Sequence, residues 1–449
     1  MPRDPNQKLR QLLAVANWTR EGLARAVNAV ASESGRVLTY DRTSVSHWLR
    51  GATPRGDTPL YIAEALSRRL GRVVTPDEAG FSHAQDRQQG WPGRPGADAF
   101  AALRRLAGTD LSSIWTGTRE ERIYRQADLD LPAWPGPRPT PPSTPDESAP
   151  EGLEMMTSAF RSADRRFGGG HAREALVAYL AGDVVDVAGR ATPAAGRRRL
   201  CAIAAAACDL AGFMSFDSHF HGLALAYFRI AARLALEAAD PDLYAGILRN
   251  ISLQAWMLGD TRSANRIAEL AVDAAEHGVR KDQSAELLGH VAVTLAASNR
   301  HGEAHQALGA AEDVVAATGI ASATVTYQRA VVLEYAGELA AAQRALLVSV
   351  KQRDPSERRS RALTTARLAG LRLRTGQVDK ACDAIRDVLD DHTRLSSARV
   401  DAALDDLGRH LARFRGLPSS DLVLLELRRR RRHAKVFTPG GGHDDTDQA

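Results

Sequence analysis

The sequence predicts an all-α protein in three parts: an N-terminal helical unit, a proline-rich linker and a long array of paired helices. Three observations carry this expectation. Hydrophobic residues make up 44% of the chain but aromatics only 5%. Small aliphatics, above all alanine, therefore supply the apolar surface, which favours close-packed helices over a β-sandwich. Apolar residues recur at helical spacing behind Ser, Thr and Asp caps across residues 1–80. Beyond residue 151, a small residue is followed twelve positions later by alanine, five times over. A chain of 449 residues has room for two or three cores.

Each helix of the first unit has its own signature. Leu9, Leu12, Leu13 and Ala16 make an amphipathic first helix, and Thr19 caps a second with Leu23, Ala24, Val27 and Val30 inward. Asp41 or Thr43 caps a third helix, in which Val45, Trp48 and Leu49 fall at i, i+3 and i+4, and Gly51 stops it. Its other face carries Arg42, Thr43, Ser44, Ser46 and His47, all able to hydrogen-bond base edges or phosphates. A short helix with one dry side and one donor-rich side is what the major groove of DNA admits. Thr58-Pro59 opens a fourth helix bearing Ile62, Leu66 and Leu70, with proline at the tolerated first position. Thr75-Pro76-Asp77-Glu78 sets a capping box for a short fifth turn.

These short helices, with Ser46-His47-Trp48-Leu49-Arg50-Gly51 closing the third, resemble the lambda-repressor-like, or Xre-type, helix-turn-helix domain. The resemblance covers roughly residues 1–80 and implies that Arg42, Thr43 and His47 face bases. Ser44 and Ser46 suit phosphate, and Arg50 and Arg55 stand as backbone clamps. The bland reading makes Ser44 and His47 solvated helix residues. In one departure, Ser32 to Tyr40 lengthens the connection before the third helix by about ten residues, offering Arg36 to the phosphate backbone. One such unit buries little surface, so a homodimer on two half-sites of double-stranded DNA is expected.

Residues 81–150 read as a linker. Ala99 to Leu106 is a candidate short helix, Asp110 to Asp130 a second small element, and Pro132 to Pro150 an extended proline-dense stretch. Residues 151–436 then repeat. The pairs are Gly212/Ala224, Ser252/Ala264, Ala292/Ala304, Ala330/Ala342 and Ala369/Ala381, with turns such as Gly259-Asp260, Gly337-Glu338 and Gly376-Gln377 between their members. Small residues at those points let two helices of one unit approach closely. This is similar to the tetratricopeptide repeat, although successive second members stand 40, 40, 38 and 39 residues apart, more than that family's 34. Two positions before each small residue lie Leu210, Asn250, His290, Gln328 and Arg367. By the resemblance, this position faces the concave groove, so Asn250, His290, Gln328 and Arg367 form a candidate ladder for a peptide or protein partner. The alternative is ordinary exposed helix surface. Residues 437–449 read as a disordered tail.

Charge and motifs narrow the function class. The formal net charge is +5, with residues 1–80 at +4, residues 413–436 at +6 and the last 13 residues at −3. Positive charge at the two ends is how a nucleic-acid binder places it. Arg428 to Arg432 ends a helix starting near Ser419, where cations favour a helix C-terminus; the alternative is contact with DNA or an acidic partner. No lysine precedes Ser or Thr, which excludes a Walker A loop, and Gly-x-Ser-x-Gly and His-Glu-x-x-His motifs are missing. His301 and His305 at i, i+4, like His219 and His221, read as solvated surface in repeat turns, and no cofactor or metal is expected. Cys201, Cys208 and Cys382 are too scattered for a disulfide or zinc framework. No secretory leader or membrane span is expected either, so a cytoplasmic protein is.

The expected protein is therefore a transcriptional regulator, not an enzyme. Its architecture resembles bacterial helix-turn-helix plus repeat regulators, including peptide-pheromone receptors and proteins restraining sporulation and antibiotic production. The alternatives are a scaffold that mediates protein contacts without sequence-specific DNA binding, and a metal-dependent hydrolase at His301 and His305.

Overall fold

A computed structural model describes residues 4–81, 98–117, 122–136, 151–189, 194–319 and 321–436. These residues form helices and turns, with no strand among them. The N-terminal unit holds α1 (Gln7–Val15), α2 (Arg20–Glu33), α3 (Arg42–Leu49) and α4 (Thr58–Leu70). The fifth element is a turn: Thr75 and Glu78 exchange the two capping-box hydrogen bonds, at 2.8 and 3.2 Å, without a helix following. Leu9, Leu23, Val27, Val45, Ile62 and Leu66 close a single core between the four helices. Burying side chains of this size stabilises by about 1.5–3 kcal/mol each.

The connection from α2 to α3 is Ser34–Asp41, shorter than the reading from Ser32, because α2 runs on through Glu33. It is pinned at its far end. The Asn28 side chain donates to the Tyr40 carbonyl at 2.9 Å and accepts from its amide at 3.0 Å, while Tyr40 packs edge-on against Trp48 at 5.0 Å. Arg36 leans toward Asp57 at 3.8 Å within the unit.

Of the stretch expected to be a linker, residues 98–117 and 122–136 are part of the fold. The helix expected to end at Leu106 continues to Thr116 as α5 (Ala99–Thr116). Phe100, Leu103 and Leu106 enter the same core as the first paired helices, and both carboxylate oxygens of buried Asp110 accept from one Arg173 nitrogen, with a hydrogen bond from Tyr227. Residues 122–136 continue along the array, with Tyr124, Leu129 and Leu131 buried. The proline-dense stretch beyond residue 136 and the tail from 437 lie outside the described residues.

Next come α6 (Glu151–Phe167), α7 (Gly169–Tyr179), a π-helical turn (Leu180–Val184) and α8 (Val185–Ala188). Five antiparallel helix pairs follow: α9 (Ala194–Asp217) with α10 (His221–Ala238), α11 (Pro241–Met257) with α12 (Thr261–Ala275), and α13 (Lys281–Ala297) with α14 (His301–Thr318). Then α15 (Ala323–Tyr335) pairs with α16 (Leu339–Gln352) and α17 (Arg358–Arg374) with α18 (Val378–His392). The chain ends in α19 (Ala398–Leu411) and α20 (Pro418–Val436).

The twelve-residue pairs sit where the partners of each hairpin cross. Ser252, Ala292, Ala330 and Ala369 are buried, as are the alanines opposite them. The Ser252 hydroxyl donates to the Ala264 carbonyl at 2.6 Å, and a Cβ on Gly212 would lie 2.6 Å from the Phe228 ring. Each hairpin also turns through one left-handed residue: His219, Gly259, Asn299, Gly337 and Gly376, with φ between 61° and 82°. His219 and Asn299 stand where the other turns use glycine. Asparagine and histidine tolerate that conformation better than most side chains do. The packing is thus repeat-like, with a period near forty residues.

The array curves until its ends touch. Phe167 accepts from the Ser396 amide at 2.8 Å and Gly170 donates to the Ser396 carbonyl at 2.9 Å. Asp217 joins the two ends, accepting from the Gly169 amide at 2.9 Å and the Ser397 hydroxyl at 2.8 Å. Behind this seam, buried Arg359 makes a bidentate pair with Asp164 at 2.6 and 2.9 Å.

One expectation changes. Gly196–Asp217 is, by length and mean hydropathy of 1.5, apolar enough to cross a membrane. It is the central helix of the largest core, 78% buried against protein.

Candidate nucleic-acid interface and the concave face of the repeats

Asp41 starts α3. Its carboxylate accepts from the Ser44 amide at 2.8 Å, and these bonds hold its pKa below the usual range. Val45, Trp48 and Leu49 turn into the core. Arg42, Thr43 and His47 project from the outer face, with Arg50 at the C-cap and Arg55 in the following loop, all exposed. The docked helical array leaves this face uncovered. The two serines serve the protein instead. Ser44 completes the capping box, whereas the Ser46 hydroxyl donates to the Arg42 carbonyl at 2.8 Å and accepts from Arg20 at 3.1 Å. Sequence reasoning missed Arg20, which extends the exposed basic face from the first residue of α2.

The N-terminal unit is keyed into the array on the side of α2 and α4. Arg68 on α4 holds Glu64 at 2.7 Å and Glu33 at 2.7 and 2.8 Å, and its guanidinium lies 4.9 Å from the Tyr124 ring centroid. Glu64 accepts the Gln126 amide at 3.0 Å. Tyr124 and Gln126 both donate to Asp260 at the start of α12, at 3.2 and 3.3 Å. Arg262 then reaches back to the Leu70 carbonyl at 3.2 Å. Burial pushes the Glu64 carboxyl up to about 7 and raises Glu33 as well, although Arg68 opposes both shifts.

The ladder residues are not free surface. Asn250, His290 and Gln328 are 8%, 4% and 4% exposed. Asn250 donates to Asp209 at 2.9 Å, His290 contacts the Ser252 hydroxyl at 2.9 Å, and Gln328 donates to the Glu286 carbonyl at 2.9 Å. Arg367 pairs with Glu334 at 2.7 Å and reaches Tyr327. Each side chain ties its own first helix to the first helix of the preceding pair. The polarity of these positions serves contacts between the repeats. Burial holds His290 down to about 3, so its ring is neutral.

His290, Gln328 and Arg367 nonetheless edge a cavity of about 920 Å³ on the inner face of the array, while Asn250 borders a shallower groove beside Asp209. Of the other histidines, His305 is exposed and turns to the His301 carbonyl at 2.8 Å. His221, expected in solvent, is buried at the start of α10 and held neutral, its pKa lowered by burial to about 3. Among the described residues no His, Cys, Asp and Glu cluster fits a metal. All three cysteines are free and buried. In the C-terminal arginine run, Arg430 pairs with Asp401 at 2.6 Å and with Asp405, which ties α20 to α19.

A protein family described as the SP15 N-terminal domain matches residues 9–82, the span from α1 to the turn after α4. This description differs from the Xre-type domain that the sequence resembles. No curated protein matches the chain.

Proposed function

We propose that the chain is a DNA-binding transcriptional regulator, in which α3 reads double-stranded DNA and the helical array takes a ligand or partner. One observation carries the reading. Arg42, His47, Arg50 and Arg55 leave α3 and its following loop exposed and without a protein partner among the described residues. Unpaired arginines beside a histidine donor on one side of a short, core-anchored helix suit a groove lined by phosphates. Arg42, Thr43 and His47 are assigned to bases, and Arg20, Arg50 and Arg55 to phosphates. Ser44 and Ser46 become helix-shaping residues. We place the chain among the Xre-type, tetratricopeptide-like regulators of bacteria, acting in the cytoplasm as a homodimer in the control of development or secondary metabolism.

Full-length protein and labelled duplex DNA test this by fluorescence anisotropy across a salt series. Affinity should fall linearly on a log–log plot of binding against salt. Arg42→Ala should cost about 1–3 kcal/mol and relax preference at one base pair, whereas Arg50→Ala should weaken all sequences and reduce the slope by about 1. Equal, salt-insensitive retention of parent and variants would favour a scaffold. That second reading draws on the buried Arg68 network, which gives the N-terminal unit a packing role of its own.

A further inference from the structure

The cavity inside the curved array has an unbalanced charge. Seven arginines line it against two carboxylates, Glu334 and Asp406. Most of these arginines are matched: Arg359 by Asp164 and Asp217, Arg353 by Glu357, and Arg367 and Arg374 jointly by Glu334. Asp406 is engaged by Arg409 and His410.

Arg249 is paired with Glu286, which leaves exposed Arg413 and, set deeper on the first turn of α19, Arg399. Its guanidinium lies over the Phe216 ring at 4.6 Å, one terminal nitrogen reaches the Met257 sulfur at 3.2 Å, and its buried Nε has no hydrogen-bond partner. No ion pair reaches it among the described residues. Burial and the neighbouring Arg359 charge together pull its pKa below the usual arginine value, despite nearby Asp217. Arg399 is only partly buried, but its cation has no ion-pair partner to offset the desolvation of Nε, and a ligand anion would supply one.

Apolar and aromatic side chains share the wall, with Phe213, Leu253, Trp256, Val293, Tyr327 and Phe414 around the space. About 920 Å³ falls in the range of small-molecule sites.

We propose that this cavity binds a small amphipathic organic acid, its carboxylate paired with Arg399 and its aromatic or aliphatic body against Trp256 and Tyr327. This rests on the reading of the array as a ligand-binding part. A carboxylate suits the planar guanidinium by bidentate pairing. The site lies on the seam where the array closes, since Phe216 neighbours Asp217 and α19 starts at the Ser396–Ser397 contact. A bound acid thus joins α19 to α11 and α15 across the inner face of the array.

The test uses full-length protein without DNA, so its outcome is independent of DNA binding. Anilinonaphthalene sulfonate serves as a fluorescent reporter, with 2-naphthoate and the equally shaped neutral 2-naphthamide as competitors. The acid is expected to displace the reporter about tenfold more effectively than the amide, as one charge-assisted pair predicts. Arg399→Met should abolish that preference while the melting temperature holds or rises, and Arg399→Lys should retain most of it. Failure of the reporter to bind, equal displacement by acid and amide, or a preference that persists in the methionine variant would overturn the proposal. The wild-type comparison decides the matter if the variant does not fold.

Discussion

Replacing Arg68 with methionine is expected to destabilise the chain by about 3–5 kcal/mol, the usual cost of stranding buried charge. The guanidinium bridges Glu33 and Glu64, whose side chains are 14% and 4% exposed. The loss should depend on pH in a defined direction. Unfolded, both carboxyls titrate near 4.5; folded, burial raises Glu33 and takes Glu64 to about 7. Between those values the folded state holds protons that the unfolded state has released, so stability falls as pH rises through that window. Without Arg68, Glu64 keeps only the Gln126 amide against the desolvation, and the window extends upward. Thermal melts should therefore show a gap between variant and parent that widens from about pH 5 to about pH 8. A constant gap would mean the carboxyls are not what Arg68 compensates.

Gly222→Val is expected to cost about 3 kcal/mol or more through overpacking. Gly222 lies on the first turn of α10, where a Cβ would sit 2.4 Å from the Arg122 carbonyl oxygen and 2.7 Å from the Ile123 carbonyl carbon. Backbone atoms cannot rotate aside as a flexible side chain does. The segment from Arg122 onward must lift, taking with it Tyr124 and Gln126, which connect the N-terminal unit to Asp260. Trypsin should then cut after Arg122 and Arg125 faster than in the parent, and the melting temperature should drop. A variant that melts with the parent and resists cleavage would show that the segment is not clamped there.

Much of the fold was legible because its signals are local. Thr19, Asp41 and the Thr75/Glu78 pair act within one helical turn, and the twelve-residue spacing records the crossing of two neighbouring helices. The residues that misled were those whose partners lie far along the chain. Asn250, His290 and Gln328 look like exposed polar positions until the helix about forty residues earlier is laid beside them. Nothing in the local pattern around Tyr124 marks it as a buried wedge, since its hydrogen-bond partner lies 136 residues away. The closing of the array depends on Arg359 meeting Asp164 across 195 residues. At the candidate DNA face, residue types were legible but allegiances were not. Ser44 and Ser46 satisfy backbone and Asp41 before any ligand arrives, and Arg20 enters only because α2 starts beside α3.

The central claim, that α3 reads DNA, is tested most directly by selecting bound fragments from a random duplex pool with the full-length protein. The expected result is an enriched sequence of two half-sites about one helical turn apart, bound less tightly as salt rises and lost in the Arg42→Ala, His47→Ala double variant. Recovery of no common sequence, or of the same sequence with the double variant, would contradict it.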